Sequence, residues 1–163
     1  MQQLPEQFKY KTQWIIRRYA DDAAFERGES YEDSVIDGNL LLNEGIQLLE
    51  DLLIGAGGTA YNNASAYLGV GDSSTAESAA QTGLQASTNK TYKAMSATYP
   101  SRASQTITWR AVFATGDANY AWNEFTIVNA STDTGTNLNR KVSSQGTKAS
   151  GQTWTLDMTL TIS

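Results

Sequence analysis

The carboxylate with the most distinctive neighbours in this sequence is Glu124, which stands between Trp122 and Phe125. An apolar environment raises the pKa of a carboxyl group, and a glycosidase uses such a group as its general acid. That chemistry needs a second carboxylate. Neither Asp117, in a predicted turn, nor Asp157, on the last predicted strand, lies in a motif that would supply one. The sequence therefore favours a structural Glu124 that bonds a neighbouring loop, and we expect no catalytic residue and no enzyme.

Histidine and cysteine are both missing from the 163 residues. This excludes histidine-based triads, disulfides, thiolate zinc sites and histidine-ligated metals. The polar turns at residues 71–74 and 133–139 lack the ordered carboxylate spacing of a calcium-binding loop. We therefore expect neither a metal nor a cofactor.

The formal net charge is −5, and seven acidic residues between positions 21 and 37 are offset only by Arg27. Binding to phosphate needs concentrated Lys and Arg, so we expect no nucleic acid and no anionic membrane as partner. No apolar run reaches the length of a membrane-spanning helix, and the first residues do not resemble a signal peptide. We therefore expect that the chain is synthesised in a cytoplasm.

Residues 8–19 alternate between apolar and basic or polar side chains, which predicts an extended strand. Two interpretations fit this pattern. The strand could be the first one of the domain's own sheet, or an arm that pairs with a neighbouring subunit across the acidic spacer that follows. The residues assigned to the arm interface are Phe8, Tyr10, Trp14, Ile16, Arg17 and Arg18.

An amphipathic helix is predicted over residues 40–53, with Asn39 as its N-cap and Gly55 as the left-handed residue after its end. Its apolar stripe is expected to pack on the core, as leucine at helical spacing generally does. The core-packing residues predicted on this helix are Leu42, Ile46, Leu49 and Leu53.

The C-terminal segment alternates strictly between apolar and mostly hydroxylated side chains, which predicts a strand with one buried face. The residues predicted for that face are Trp154, Leu156, Met158, Leu160 and Ile162. With the other short strands and turn clusters beyond residue 61, the pattern predicts a mainly β protein, a β-sandwich of jelly-roll type with one amphipathic helix and an N-terminal extended arm. The predicted division is an arm and spacer at residues 1–36 and a sandwich domain at residues 37–163.

Five segments of the chain resemble, in the same order, small virion structural proteins of tailed bacteriophages. They are residues 38–46 (GNLLLNEGI), 67–73 (YLGVGDS), 122–125 (WNEF), 139–142 (NRKV) and 146–156 (GTKASGQTWTL). The resemblance runs from Gly38 to the C-terminus and leaves the region before Gly38 outside it. None of these segments is a catalytic motif.

This resemblance implies a component of a phage particle, assembled in the host cytoplasm and resident in the virion. The role that we expect is a capsid decoration, or cement, protein that stabilises the outer shell. Its expected partners are copies of itself, for example in a trimer, and the major capsid protein. The alternatives are a tail or fibre-attachment protein and a carbohydrate-binding β-sandwich module, because exposed Trp and Tyr can stack on sugars.

Overall fold

The computed structural model describes residues 8–163, and these form two antiparallel sheets of five strands each. The first sheet has the order β2 (Glu32–Asp37), β1 (Tyr10–Tyr19), β10 (Thr153–Ile162), β7 (Thr106–Phe113) and β6 (Ser101–Ala103). The second has the order β3 (Leu40–Leu41), β9 (Asn139–Val142), β8 (Glu124–Val128), β4 (Tyr67–Gly71) and β5 (Lys90–Ala94). The helices of the described residues are α1 (Asp22–Glu26) and α2 (Asn43–Ile54). The protein is mainly β with a sandwich-like architecture, as the sequence predicts.

The core lies between the two sheets and is centred on aromatic side chains. Trp122 packs edge-on against Phe113, Phe125 and Trp154, with ring centroids 4.8, 6.3 and 4.9 Å apart. Trp14 extends the cluster, because its ring centroid lies 5.7 Å from that of Phe125. The alternation of β10 places its apolar side chains in the same core, where Trp154, Leu156, Met158 and Leu160 are buried. Ile162, at the end of that strand, is 40% exposed.

Residues 10–19 of the predicted N-terminal arm form a strand inside the first sheet, which corrects that expectation, and residues 1–7 of the predicted arm lie outside the described residues. β1 pairs with β10 from Tyr10↔Ile162 to Tyr19↔Thr153, and it pairs with β2 on its other side. The side chains of Trp14 and Ile16 are fully buried in the chain's own core. The boundary placed after residue 36 falls within β2, so this sheet combines both of the predicted units.

The acidic spacer explains why β1 does not leave the domain. Asp21 caps α1, since its side chain accepts a hydrogen bond of 2.7 Å from the backbone N–H of Ala24. The chain then turns at Gly28, and the backbone N–H of Tyr31 bonds the carbonyl of Arg18 at 2.9 Å. The spacer therefore forms a compact turn that places β2 beside β1, antiparallel to it.

The long helix begins later than predicted and turns a different face to the core. Leu40 and Leu41 pair with β9 as a short strand, and the N-cap is Leu42 rather than Asn39. The helix ends at Gly55, which adopts the left-handed conformation as expected. Gly45 and Leu48 are its buried residues, whereas Ile46 is 39% and Leu53 is 87% exposed.

Gly45 explains this rotation of the helix. A Cβ atom at that position would overlap the backbone carbonyl of Leu138, so α2 approaches the chain before β9 through the one residue without a side chain. This close approach directs the Gly45–Leu48 face inward. Of the predicted stripe, Leu42 is buried, and Ile46, Leu49 and Leu53 are exposed to solvent, which corrects their assignment to the core.

Substitution Gly45→Ala tests this contact. Alanine alone would stabilise a helix by about 1 kcal/mol relative to glycine. Here we expect a net loss of stability of about 1–3 kcal/mol, because the added methyl group overpacks a backbone contact. Chemical denaturation gives the free energy of unfolding. The control is Gly116→Ala, where an added Cβ meets nothing within 4 Å. A stabilised Gly45→Ala protein would contradict the packing of α2 on Leu138.

Candidate interaction surface

Glu124 lies in a fully buried ionic network rather than in an open cleft. Its Oε2 atom accepts from Arg140 Nε at 2.9 Å, and Arg140 Nη2 lies 2.7 Å from the same oxygen. The backbone N–H groups of Gln85 and Ala86 donate to the carboxylate at 2.9 and 2.8 Å. Both charged side chains are inaccessible to solvent.

This network gives Glu124 a structural role of the kind expected, since it joins β8 to β9 and to the loop at residues 85–86. Gly71 on the neighbouring strand leaves the space that the carboxylate occupies, because a Cβ there would overlap Glu124 Oε1. The other guanidinium nitrogen, Arg140 Nη1, donates to Gln81 Oε1 at 3.0 Å. Every oxygen of the carboxylate is thus engaged by the chain itself.

We expect Glu124→Gln to lower the free energy of unfolding by about 3–5 kcal/mol, because it leaves the buried Arg140 without a counter-ion. A matched control is Glu29→Gln. Glu29 Oε2 also lies 2.8 Å from an arginine, Arg27 Nε, but both of these side chains are more than half exposed. The expected effect of the control is at most about 1 kcal/mol. Urea denaturation measures both, and equal effects would show that the Glu124 pair is not buried.

The outer face of the first sheet carries a second charged arrangement. Asp157 on β10 is buried and accepts from Arg17 Nη1 at 2.9 Å and from Arg110 Nε and Nη2 at 2.7 and 2.6 Å. The hydrogen bonds to Asp157 raise the pKa of Arg110. Arg17 Nε also lies 4.0 Å from Asp33 Oδ2. The charges therefore alternate across β2, β1, β10 and β7.

The second arginine of the predicted arm interface lies on the inner face. Arg18 is buried, stacks 4.6 Å from the ring centroid of Trp154 and donates to Gln145 O at 2.9 Å and Ser34 Oγ at 2.7 Å. Arg18 is therefore not free to form the exposed basic surface that an arm would present, and Arg17 is held against Asp157 on the outer face of the domain's own sheet. Within residues 8–163, no group of acidic side chains is placed to hold a metal ion. No helix of the described residues is long and apolar enough to cross a membrane.

An exposed apolar feature lies on α2, and we name it the helix surface. It consists of Ile46, Leu49, Leu53 and Ile54, the last two being 87% and 76% exposed. Exposed aliphatic side chains in a contiguous patch generally mark an interaction site. The same helix carries exposed acidic residues, Glu50 and Asp51, and contains no Lys or Arg.

An apolar groove of about 410 Å³ adjoins the helix surface. It runs between α2 and the β7–β10 part of the first sheet. Its walls include Leu49, Leu52, Ile107, Trp109, Leu160 and Ile162. The groove and the helix surface share Leu49, so together they form one continuous apolar area.

The start of β1 forms a second exposed apolar feature, which we name the aromatic edge. Phe8 is 75% and Tyr10 is 42% exposed, and their ring centroids are 6.5 Å apart. Lys9 and Lys11, which alternate with these residues, are also exposed. Of the apolar arm residues predicted to contact a partner, Phe8 and Tyr10 are exposed, whereas Trp14 and Ile16 are buried.

No family model, no curated protein and no solved structure matches this chain. The features of the described residues that bear on function are therefore the two exposed apolar ones, the helix surface and the aromatic edge.

Proposed function

We propose that this chain is a structural protein of a tailed-bacteriophage virion, a capsid decoration protein that assembles with copies of itself and with the major capsid protein. The observation that carries the proposal is the helix surface, with Leu53 and Ile54 largely exposed beside an apolar groove. The resemblance of residues 38–156 to virion proteins supports the same role. A chain path of jelly-roll type is part of this proposal.

The occupant that we propose for the helix surface is the aromatic edge of a second copy. Phe8 and Tyr10 offer apolar rings, and Lys9 and Lys11 offer positive charges. The helix surface offers aliphatic side chains beside Glu50 and Asp51. The two surfaces are therefore complementary in both hydrophobicity and charge.

Such a contact joins two different patches and is heterologous, and repetition of a heterologous contact gives a ring when the rotation between copies closes. The closed ring that we propose is a trimer. Each buried large apolar side chain contributes roughly 1.5–3 kcal/mol before the costs of association. Repetition around a ring and over a shell then adds many modest contacts without any chemical reaction. This is the type of binding that a cement protein needs.

Substitution Leu53→Glu tests the assembly, because it places a charge at the most exposed aliphatic position of the helix surface. We expect the wild-type chain to be oligomeric by light scattering and Leu53→Glu to be monomeric, with at least a tenfold weaker self-association. The matched control is Val35→Glu. Val35 is also exposed, but it lies on β2, at the sheet edge opposite to β6 and the groove. A monomeric wild-type chain, or equal assembly of all three proteins, would contradict the proposal.

The location in a particle is tested by counting copies in purified phage virions with quantitative mass spectrometry. Hundreds of copies per particle support decoration of the capsid. A dozen copies or fewer would assign the protein to the tail or its fibres, and absence from mature particles would contradict a virion role.

A further inference from the structure

The outer face of the first sheet contains a cleft of about 550 Å³ that the assembly proposal does not use. α1 borders one side of it and the segment at residues 96–99 borders the other. Its floor is a row of side chains across three strands, Arg17, Thr155 and Val112, with Arg110 beside them. The volume falls within the roughly 300–1,000 Å³ of typical small-molecule sites.

The floor carries unused hydrogen-bond donors. Arg17 Nη1 and Arg110 Nη2 both contact the same Asp157 oxygen, Oδ2, at 2.9 and 2.6 Å, so the two guanidinium groups lie side by side. Within the described residues, their remaining terminal nitrogens, Arg17 Nη2 and Arg110 Nη1, make no hydrogen bond to the chain. About 30% of each arginine side chain is exposed.

The charges around these donors favour an anion. Two arginines share the one buried carboxylate of Asp157, which leaves one positive charge in excess. Asp33 offsets it only at 4.0 Å from Arg17 Nε, and its own side chain is 48% exposed. The planar guanidinium group matches a carboxylate in geometry.

The sides of the cleft are aromatic. Tyr99 stacks on Arg110, with the guanidinium carbon 4.7 Å from the ring centroid. Opposite it, Tyr19 and Phe25 form an edge-to-face pair with centroids 5.3 Å apart. Thr98, next to Tyr99, has φ of 70°, a left-handed conformation that a β-branched residue adopts only where its surroundings enforce it. The backbone of Tyr99 is also held by hydrogen bonds, since its N–H donates to Ser96 O at 3.1 Å and its carbonyl accepts from Asn63 Nδ2 at 2.6 Å.

We propose that this cleft binds a carboxylated sugar, a hexuronic acid unit, with its carboxylate on Arg17 and Arg110 and its ring against Tyr99 and the Tyr19–Phe25 pair. Aromatic faces bind the apolar side of a sugar ring, and the two arginines supply the donors for its acid group. An extended peptide fits less well, because β1, β10 and β7 are paired on both sides and offer no free strand edge. The inference is independent of the proposed assembly of copies.

The test is a titration of the full-length protein with D-glucuronate, D-glucose and acetate, followed by calorimetry and by NMR shifts of backbone amides. We expect glucuronate to bind at millimolar concentrations or below, with shifts at Arg17, Tyr99 and Thr155. Glucose, which lacks the carboxylate, and acetate, which lacks the ring, are each expected to bind at least tenfold more weakly.

Two variants localise the site. Tyr99→Ala removes one wall and leaves the Arg17–Asp157–Arg110 contacts in place, and we expect about a tenfold loss of glucuronate affinity. Arg17→Lys keeps the charge beside Asp157 but removes the planar guanidinium group, and we again expect about a tenfold loss of glucuronate affinity. The matched controls are Tyr31→Ala and Arg102→Lys, which replace exposed residues outside the cleft and should bind as the wild type does.

Three results would overturn the proposal. Absence of glucuronate binding to the wild type would show that the cleft is not a sugar-acid site. Equal binding of glucose or of acetate would show that the ring and the carboxylate are not recognised together. Unchanged affinity of the folded Tyr99→Ala protein would place any binding elsewhere.

Discussion

The antiparallel pairing of β1 with β10 is the interaction on which the rest of this structure depends. It joins the two ends of the described chain over ten residue pairs, from Tyr10↔Ile162 to Tyr19↔Thr153. On the inner face it brings Trp14 and Ile16 opposite Met158 and Leu156, which line the core. On the outer face it places Arg17 within reach of Asp157. A sheet without β1 would expose the backbone of β10 and an apolar surface of the core, so the strand is part of the fold rather than an accessory to it.

The buried charged groups also find their partners within the chain. Glu124 on β8 forms an ion pair with Arg140 on β9, and two backbone N–H groups also donate hydrogen bonds to the carboxylate. Lys148 is a further buried cation, whose Nζ donates to Ala114 O at 2.8 Å and Asn119 Oδ1 at 2.7 Å, and burial lowers its pKa. These charged groups are engaged internally, whereas the helix surface, the aromatic edge and the cleft on the outer face of the first sheet present side chains to solvent. The two proposals above depend on these three surfaces.

Local patterns were sufficient to predict β1, β10 and the presence of a long helix, but not β2, which lies in the predicted spacer, or β3, which lies at the start of the predicted helix. The alternation from Trp154 to Leu160 identifies the inner face of β10, because a strand has a period of two residues. The orientation of α2 was not predictable from periodicity, since the contact that orients it is made by Gly45, which carries no apolar side chain to count. The interpretation of β1 as an arm failed for a related reason. The spacer has acidic residues typical of an exposed linker, and nothing in its composition shows that Asp21 caps a helical turn and reverses the chain. The order of the strands brings Arg140 to Glu124, sixteen residues away, and Arg17 to Asp157. That order was not predicted from the sequence, so neither pair was predicted.

The most direct measurement is amide hydrogen exchange, with circular dichroism, on the chain lacking residues 1–20 beside the full chain. We predict that the shortened protein loses its cooperative unfolding transition and its slowly exchanging amides, because β10 loses a partner and the core loses Trp14 and Ile16. A shortened protein that keeps a cooperative transition and protected β10 amides would show that β1 is dispensable. That result would contradict the claim that the fold depends on the pairing of β1 with β10.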